Sequence, residues 1–390
     1  MGGTLGDSWA APLMANSAKP ERFAYIDWMR GFACLLMFEV HGYDSWLTDS
    51  LRQTPFYKFS QFTGTIAAPM FLFLAGASLA LVSDRMKQKG ATPDQVERRL
   101  VWRGFEIVGL GYLLRLQEFM MGYRTAVWTD LLRVDILNTI GVSLILMAIL
   151  WRICKDHRTT AIASLAICAA IVLATPALWT TLRPRWLPWY VESYINGVHT
   201  YGAPQVWLFP LFPWMAFAFA GLALGCFVFD EWATRHVPET IGWLGVLGVI
   251  LFFVSIAIDK LPLQYLAPYD YWHTSPAFFI ARLGVLLMFF PISYGWCRWG
   301  WGAARFRPLV WLGETSLLVY WVHIVFVYGH LSILPKHQQT IPGATLGIVI
   351  ITAAMTLLAV VRLRWKGHGA EFTERFTERV RSVARAKSGN

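Results

Sequence analysis

The chain reads as an all-α, polytopic integral membrane helix bundle of about ten transmembrane helices with both termini cytoplasmic, and three observations predict this. Of its 390 residues, 56% are hydrophobic and only 15% charged, too few polar groups to cover a soluble globule of that size. Apolar runs of about 20 residues, the length that spans a bilayer at about 1.5 Å per residue, recur from one end to the other. Lys and Arg are also unevenly shared: with the N-terminus inside, 24 fall in inward-facing segments and 8 in outward-facing ones, and only Arg115 and Arg282 lie within spans. That bias repeats loop by loop, as the positive-inside rule requires. The net charge of +10 therefore reports orientation in a membrane and not affinity for nucleic acid.

Residues 1–21 hold Gly, Ser, Ala and Pro without a cationic start and an apolar core, so they read as a mobile cytoplasmic tail and not a signal peptide. The membrane domain, 22–362, opens with a span at 28–47, an apolar run interrupted near its outer end by Glu39, His41 and Asp44. The second span, 62–83, contains APMFLFLAGASLAL; six cations between Arg85 and Arg103 then hold the next turn inside. Spans follow at 101–120, ending in the polar RLQE, and at 134–153, starting in RVDILN. The fifth (160–180) and sixth (206–229) flank an aromatic outer loop, 181–205, read as an interfacial belt, with a sugar-stacking platform as the alternative. Uninterrupted apolar sequence defines the seventh (240–258) and the eighth (276–297, carrying Arg282). The ninth, 308–330, contains Tyr320 and His323, and the tenth is 341–361. In the tail 363–390, Phe372, Phe376, Val380 and Val383 recur at helical spacing against a charged face, which predicts a basic amphipathic helix on the cytoplasmic surface. The five cysteines form neither a disulfide framework nor a metal-ligand spacing, and no metal is expected.

Ionisable groups inside a membrane mark function by default, and these converge in depth. The first helix runs outward, putting His41 about 20 Å above Trp28. The same outer band receives Arg115, Gln117 and Glu118 from the third span and Arg133, Asp135 and Asn138 from the fourth. Arg282 of the eighth span and Tyr320 and His323 of the ninth also fall in it. His41 and Asp44, three apart, share a helix face, which makes His41 a candidate general base and Asp44 its orienter. Glu39 points elsewhere and reads as a structural partner of Arg115 or Arg282. His323 reads as a histidine satisfied within the bundle, with Tyr320 on its face. Arg22, Arg30, Arg98, Arg99 and Arg103 supply cations at the inner mouth.

The residues so laid out are YIDWMRG at 25–31, FEVHGYD at 38–44, APMFLFLAGASLAL at 68–81, RLQ at 115–117, RVDILNTIG at 133–141, LFPWMAFAFAGLALG at 211–225 and GETSLLVYWVHIVFVYG at 313–329. In that order they make the chain resemble a bacterial member of the heparan-α-glucosaminide N-acetyltransferase-like family, within the transmembrane acyltransferase superfamily. The resemblance implies transfer of an acyl group, commonly acetyl, from cytoplasmic acyl-CoA to a hydroxyl or amine of a glycan-like acceptor across an inner membrane. It also implies that a first-helix histidine, here His41, is catalytic. The family's histidine in the loop after helix one has no counterpart in 42–61, which favours direct attack by the acceptor over an acetyl-histidine intermediate. Oxyanion donors available at that depth are Arg115, Arg282, Asn138 and Tyr320. The inner cations suit the CoA phosphates, and the small residues of AGASLA and GLALG suit a channel for the pantetheine arm. The competing readings are a proton-coupled transporter or flippase using the same His, Glu and Arg cluster, and a non-catalytic partner of the same fold. Homo-oligomers are compatible with the sequence.

Overall fold

The computed structural model describes residues 24–388 except 123–125, 155, 180, 183, 185, 198–208, 229–234, 262–270 and 300–306, with side chains described to residue 366. The predicted tail 1–21, Arg22 and the side chains of the amphipathic repeat lie outside the described residues. Among those described there are helices and no strand. A single parallel bridge joins Leu47 to Gln339.

The protein is a multi-pass helical membrane protein. Seven helical stretches are long and apolar enough to cross a bilayer, and up to eight if one bent pair is counted as a span. Among the described residues each of the ten predicted spans overlaps helix, with 62–83 and 308–330 each divided between two. Helix α1 (Ala24–Trp46) and α4 (Pro93–Met121) have the length, 23 and 29 residues, but carry more charge than a span recognised by apolarity alone. Between them lie the short α2 (Pro55–Gly64) and the long α3 (Ala67–Gln88). Next come α5 (Ile136–Cys154), α6 (His157–Trp179), the surface turn α7 (Trp189–Asn196), α8 (Leu211–Val228), α9 (Val237–Asp259) and α10 (Pro276–Trp299). The predicted continuous helix 308–330 is instead two, α11 (Pro308–Glu314) and α12 (Ser316–Val327), bent by 91°. The last, α13 (Ile341–Ser388), carries the tenth predicted span and runs on through the predicted amphipathic tail to Ser388.

Small residues let these helices meet backbone to backbone. A Cβ at Gly76 would lie 1.9 Å from the Ala218 carbonyl oxygen, and one at Gly221 would lie 1.8 Å from that of Phe73. The strings AGASLA and GLALG therefore join α3 to α8, as small residues do where no hydrophobic force drives helices together in lipid. The glycines of both strings are taken up by this contact. Gly31 and Gly313 do the same for α1 and α11, each facing a backbone oxygen at 1.8 Å, of Leu309 and Asp27. That contact explains the bend. Gly313 seats α11 against α1, and Thr315 then leaves helical geometry at φ −115°, its hydroxyl donating to the Trp311 carbonyl at 2.9 Å. Released from α11's direction, α12 carries Tyr320 and His323 toward the outer half of α1.

Helices α1 and α10 are antiparallel. Tyr25, Trp28 and Phe32 of α1 meet Tyr294, Trp296 and Phe289 of α10, with ring centroids 6.0, 6.1 and 4.9 Å apart. The C-terminal end of α1 is tied to the segment after α12: Ser45 donates to the Val327 carbonyl at 2.8 Å, Trp46 Nε1 to Ser332 at 2.9 Å, and Gln339 N to the Trp46 carbonyl at 2.8 Å.

Candidate active site

His41 and His323, 282 positions apart in sequence, meet with Nδ1 of the first 2.9 Å from Nε2 of the second. His323 Nδ1 lies 3.1 Å from the Val319 carbonyl, one turn back on α12. A carbonyl only accepts, so His323 carries its proton on Nδ1 and offers the Nε2 lone pair. His41 must then donate from Nδ1, which leaves His41 Nε2 unprotonated and able to take a proton. His323 is fully buried, whereas His41 keeps some exposure, so the accessible member of the pair is the one with a basic nitrogen. The sequence placed both histidines in the same depth band. It gave no sign that they touch, and His323, read as a bystander, is the group that sets the tautomer of His41.

Asp44, expected to orient His41, makes no hydrogen bond to it among the described residues. Its carboxylate accepts from Arg52 Nη2 at 2.6 Å, Tyr57 at 2.8 Å and Tyr328 at 2.7 Å, a set of donors that closes the outer end of α1. The Arg52 partner sits outside the spans, where these contacts raise the guanidinium further above its ordinary range despite partial burial. Asp44 acts on His41 through Tyr328, whose ring packs edge-on against the imidazole at 5.1 Å. The inner histidine has a matching flank: Tyr320 packs against His323 at 5.6 Å and donates its hydroxyl to Asp135 at 2.8 Å. Each imidazole is thus held by a tyrosine anchored on a carboxylate. Sequence reasoning passed over Arg52, Tyr57 and Tyr328; the one available signal was an arginine and a tyrosine within fourteen residues of a lone helix-end aspartate.

Asp135 gathers the second cluster. It pairs with Arg115 Nη2 at 2.8 Å, while Arg115 Nη1 binds Glu118 at 2.7 Å. Asn138 Oδ1 accepts from the Asp135 backbone at 3.0 Å, and Trp321 Nε1 donates to Gln117 at 2.8 Å. Arg133, half-buried, enters the electrostatic environment of Glu118 and Asp135 without an ion pair of its own. Among the described residues Arg115 Nε is a buried donor of the cluster without an acceptor, and the Asn138 side chain faces the Tyr194 hydroxyl. Tyr320, expected as an oxyanion donor, is already committed to Asp135.

The predicted five-helix cluster is therefore a four-helix one, from α1, α4, α5 and α12. Glu39 stands apart, facing Ser60 of α2 and pairing with neither Arg115 nor Arg282. Arg282 contacts Phe278 and Trp214. At the inner end, Arg30 binds Asp27 at 3.0 Å and reaches Ser78, and Arg103 pairs with Glu106 at 2.9 Å, so both are partly neutralised. Arg98 and Arg99 are exposed on the first turns of α4.

A family model described as the catalytic region of heparan-alpha-glucosaminide N-acetyltransferase matches residues 22–255. Among curated proteins the chain is similar to the heparan-alpha-glucosaminide N-acetyltransferase of Homo sapiens, 25% identical over 140 residues that make up 34% of this chain and 20% of that one. The Mus musculus protein of the same name is 25% identical over 172 residues, 40% of this chain and 24% of that one. The matches thus span about a fifth to a quarter of these relatives' length. His41, Asp44, Arg115 and Asp135 lie inside the family segment; Arg282, Tyr320, His323 and Tyr328 lie beyond it.

Proposed function

Because the chain belongs to the heparan-alpha-glucosaminide N-acetyltransferase catalytic family, we propose that it is a membrane acyltransferase that moves an acetyl group from acetyl-CoA on the cytoplasmic side to a hydroxyl or amine of a glycan-like acceptor on the far side of the inner membrane. The observation that carries the mechanism is the His41–His323 pair. The acceptor's O–H or N–H gives its proton to His41 Nε2 while its heteroatom attacks the thioester carbonyl carbon. The C–S bond then breaks, and the proton on His41 passes to the departing thiolate. His41 becomes cationic in between, and its Nδ1–H bond to the neutral His323 strengthens at that moment. Arg115 Nε and Asn138 Nδ2 have the chemistry to receive the developing oxyanion.

The same reading assigns the CoA phosphates to Arg98 and Arg99, with Arg22 and Arg103 as further cations and Arg30 restricted by its bond to Asp27. Arg98 and Arg115 are seventeen residues apart on one helix, about 25 Å, the distance the thioester arm bridges from the inner mouth to the histidines. Sealed membrane vesicles given labelled acetyl-CoA test the proposal. Label appears on an added amino- or hydroxyl-sugar acceptor with the wild type, and His41→Ala lowers the rate by about 10²- to 10⁴-fold, the usual contribution of a general base. Solute flux without acyl transfer would instead establish a transporter.

A further inference from the structure

Arg282, like Glu39, is a residue of the predicted site that the histidine cluster does not use. It is only 7% exposed, and its guanidinium forms no hydrogen bond or ion pair among the described residues. Its Nε is buried without an acceptor. The neighbours it does have are aromatic: the Phe278 ring centroid lies 3.7 Å away and that of Trp214 5.4 Å. An aromatic face attracts a cation but does not replace the acceptors a guanidinium loses on leaving water. A buried cation left in that condition calls for an anion.

Its height is fixed by the antiparallel packing of α1 and α10, where Phe32 and Phe289 are level. His41 is nine residues outward from Phe32 and Arg282 seven outward from Phe289, so they rise about 13 and about 10 Å and lie at nearly one depth. Among the described residues Arg282 shares none of the partners of His41, so it is separate from the histidine pair. Above it, toward the outer mouth, Tyr271, Trp272 and Phe278 pack within 5.1 to 5.2 Å of one another, and Trp272 is 52% exposed. An exposed indole over a buried arginine is a surface on which a sugar ring stacks while a charged substituent reaches inward.

We propose that Arg282 is a specificity-determining residue that binds an oxyanion, a carboxylate or phosphate, carried by the acyl acceptor. This rests on the acyltransferase reading for the word acceptor, and on Arg282 alone for the anion. Two measurements on the full-length protein in phosphate-free maltoside micelles separate the two. In the first, methyl glucuronide, glucose 6-phosphate and neutral methyl glucoside are added to wild type and Arg282→Met, and melting temperature is followed. The charged sugars raise it in the wild type by more than the neutral one, and the difference disappears in Arg282→Met, a variant whose apolar side chain still fills the site. In the second, kcat/KM is compared for amino-sugar acceptors with and without the charged group. The charged acceptor is favoured about ten-fold or more, mainly through KM, and Arg282→Met brings the ratio near one. Equal stabilisation by charged and neutral sugars overturns the anion site. Stabilisation by added phosphatidylglycerol alone assigns the site to a lipid headgroup and overturns the acceptor role. Absence of transfer to every acceptor, with charge-selective stabilisation intact, defeats the acyltransferase reading and leaves the anion site standing.

Discussion

In the proposed mechanism the tautomer of one histidine decides which atom takes the proton, and that tautomer is set by a carbonyl on another helix. Val319 holds the His323 proton on Nδ1, His323 holds the His41 proton on Nδ1, and His41 Nε2 is left basic. A buried positioning group of this kind differs from the carboxylate at Asp44 in what its loss does. His323→Leu is expected to lower turnover by about 10²-fold through misplacement of the base and to move the kcat pH profile, with KM for acetyl-CoA little changed. His323→Gln, whose side-chain oxygen can accept from His41 Nδ1, recovers part of the rate. Asp44→Asn removes the charge from a bond set shared with Arg52, Tyr57 and Tyr328, and so lowers the melting temperature while moving that pH profile less than His323→Leu does. A profile displaced as far by Asp44→Asn as by His323→Leu would return the orienting role to the carboxylate. The sequence exposed His41 because an imidazole in an apolar run stands out. It concealed His323 as the partner because a contact across 282 positions leaves no local trace.

At the scale of the helix, glycine at a crossing and glycine on an open face have opposite consequences, and the protein contains both. A Cβ at Gly221 meets the Phe73 carbonyl at 1.8 Å, whereas one at Gly109 meets nothing within 4 Å. Gly221→Ala should therefore separate α3 from α8 and destabilise by about 1–3 kcal/mol, while Gly109→Ala should be neutral or stabilising by up to about 1 kcal/mol. Chemical unfolding in micelles reads both, and equal effects would mean that α3 and α8 do not meet at this crossing. Helix α6 depends on a different device. Asp156 accepts from the Thr159 backbone at 2.8 Å, and that bond holds its carboxyl below the usual carboxylate range. A depressed folded value means the cap is fully effective above the ordinary carboxylate range and is lost as the pH falls through the folded one. Asp156→Asn, which caps without titrating, should flatten the acid limb of the stability curve; an unchanged limb shows that the start of α6 does not titrate. The positions of all these helices were legible from apolar runs and their charged flanks. The bend between α11 and α12 was not: the polar string GETS at 313–316 is too short to end a span by composition, and no proline interrupts it; the cause is a tertiary contact with α1.

For the whole molecule, the open question of how many helices cross turns on the two that carry the chemistry. Helix α1 brings His41 and α4 brings Arg115, and both fall short of a span by composition because they bring those charges. A membrane helix with a wet, paired polar face tolerates such groups. In α4 the charges divide by height: Asp94, Glu97, Arg98, Arg99, Arg103 and Glu106 lie in its first four turns and Arg115 and Glu118 in its last two, with Ile107, Gly111 and Leu114 buried between them. That arrangement fits a crossing helix with a charged cytoplasmic end, and it predicts ten spans with both termini inside. Single cysteines at Lys89 and Asp130, in a background with Cys34, Cys154, Cys168, Cys226 and Cys297 replaced by alanine, bracket α4. In intact cells a membrane-impermeant maleimide should label position 130 and not 89, and in inside-out vesicles the reverse. Label reaching both from one side would mean that α4 lies along the membrane. The phosphate-binding arginines and the histidine pair would then share one face of the bilayer, and transfer would proceed without crossing it.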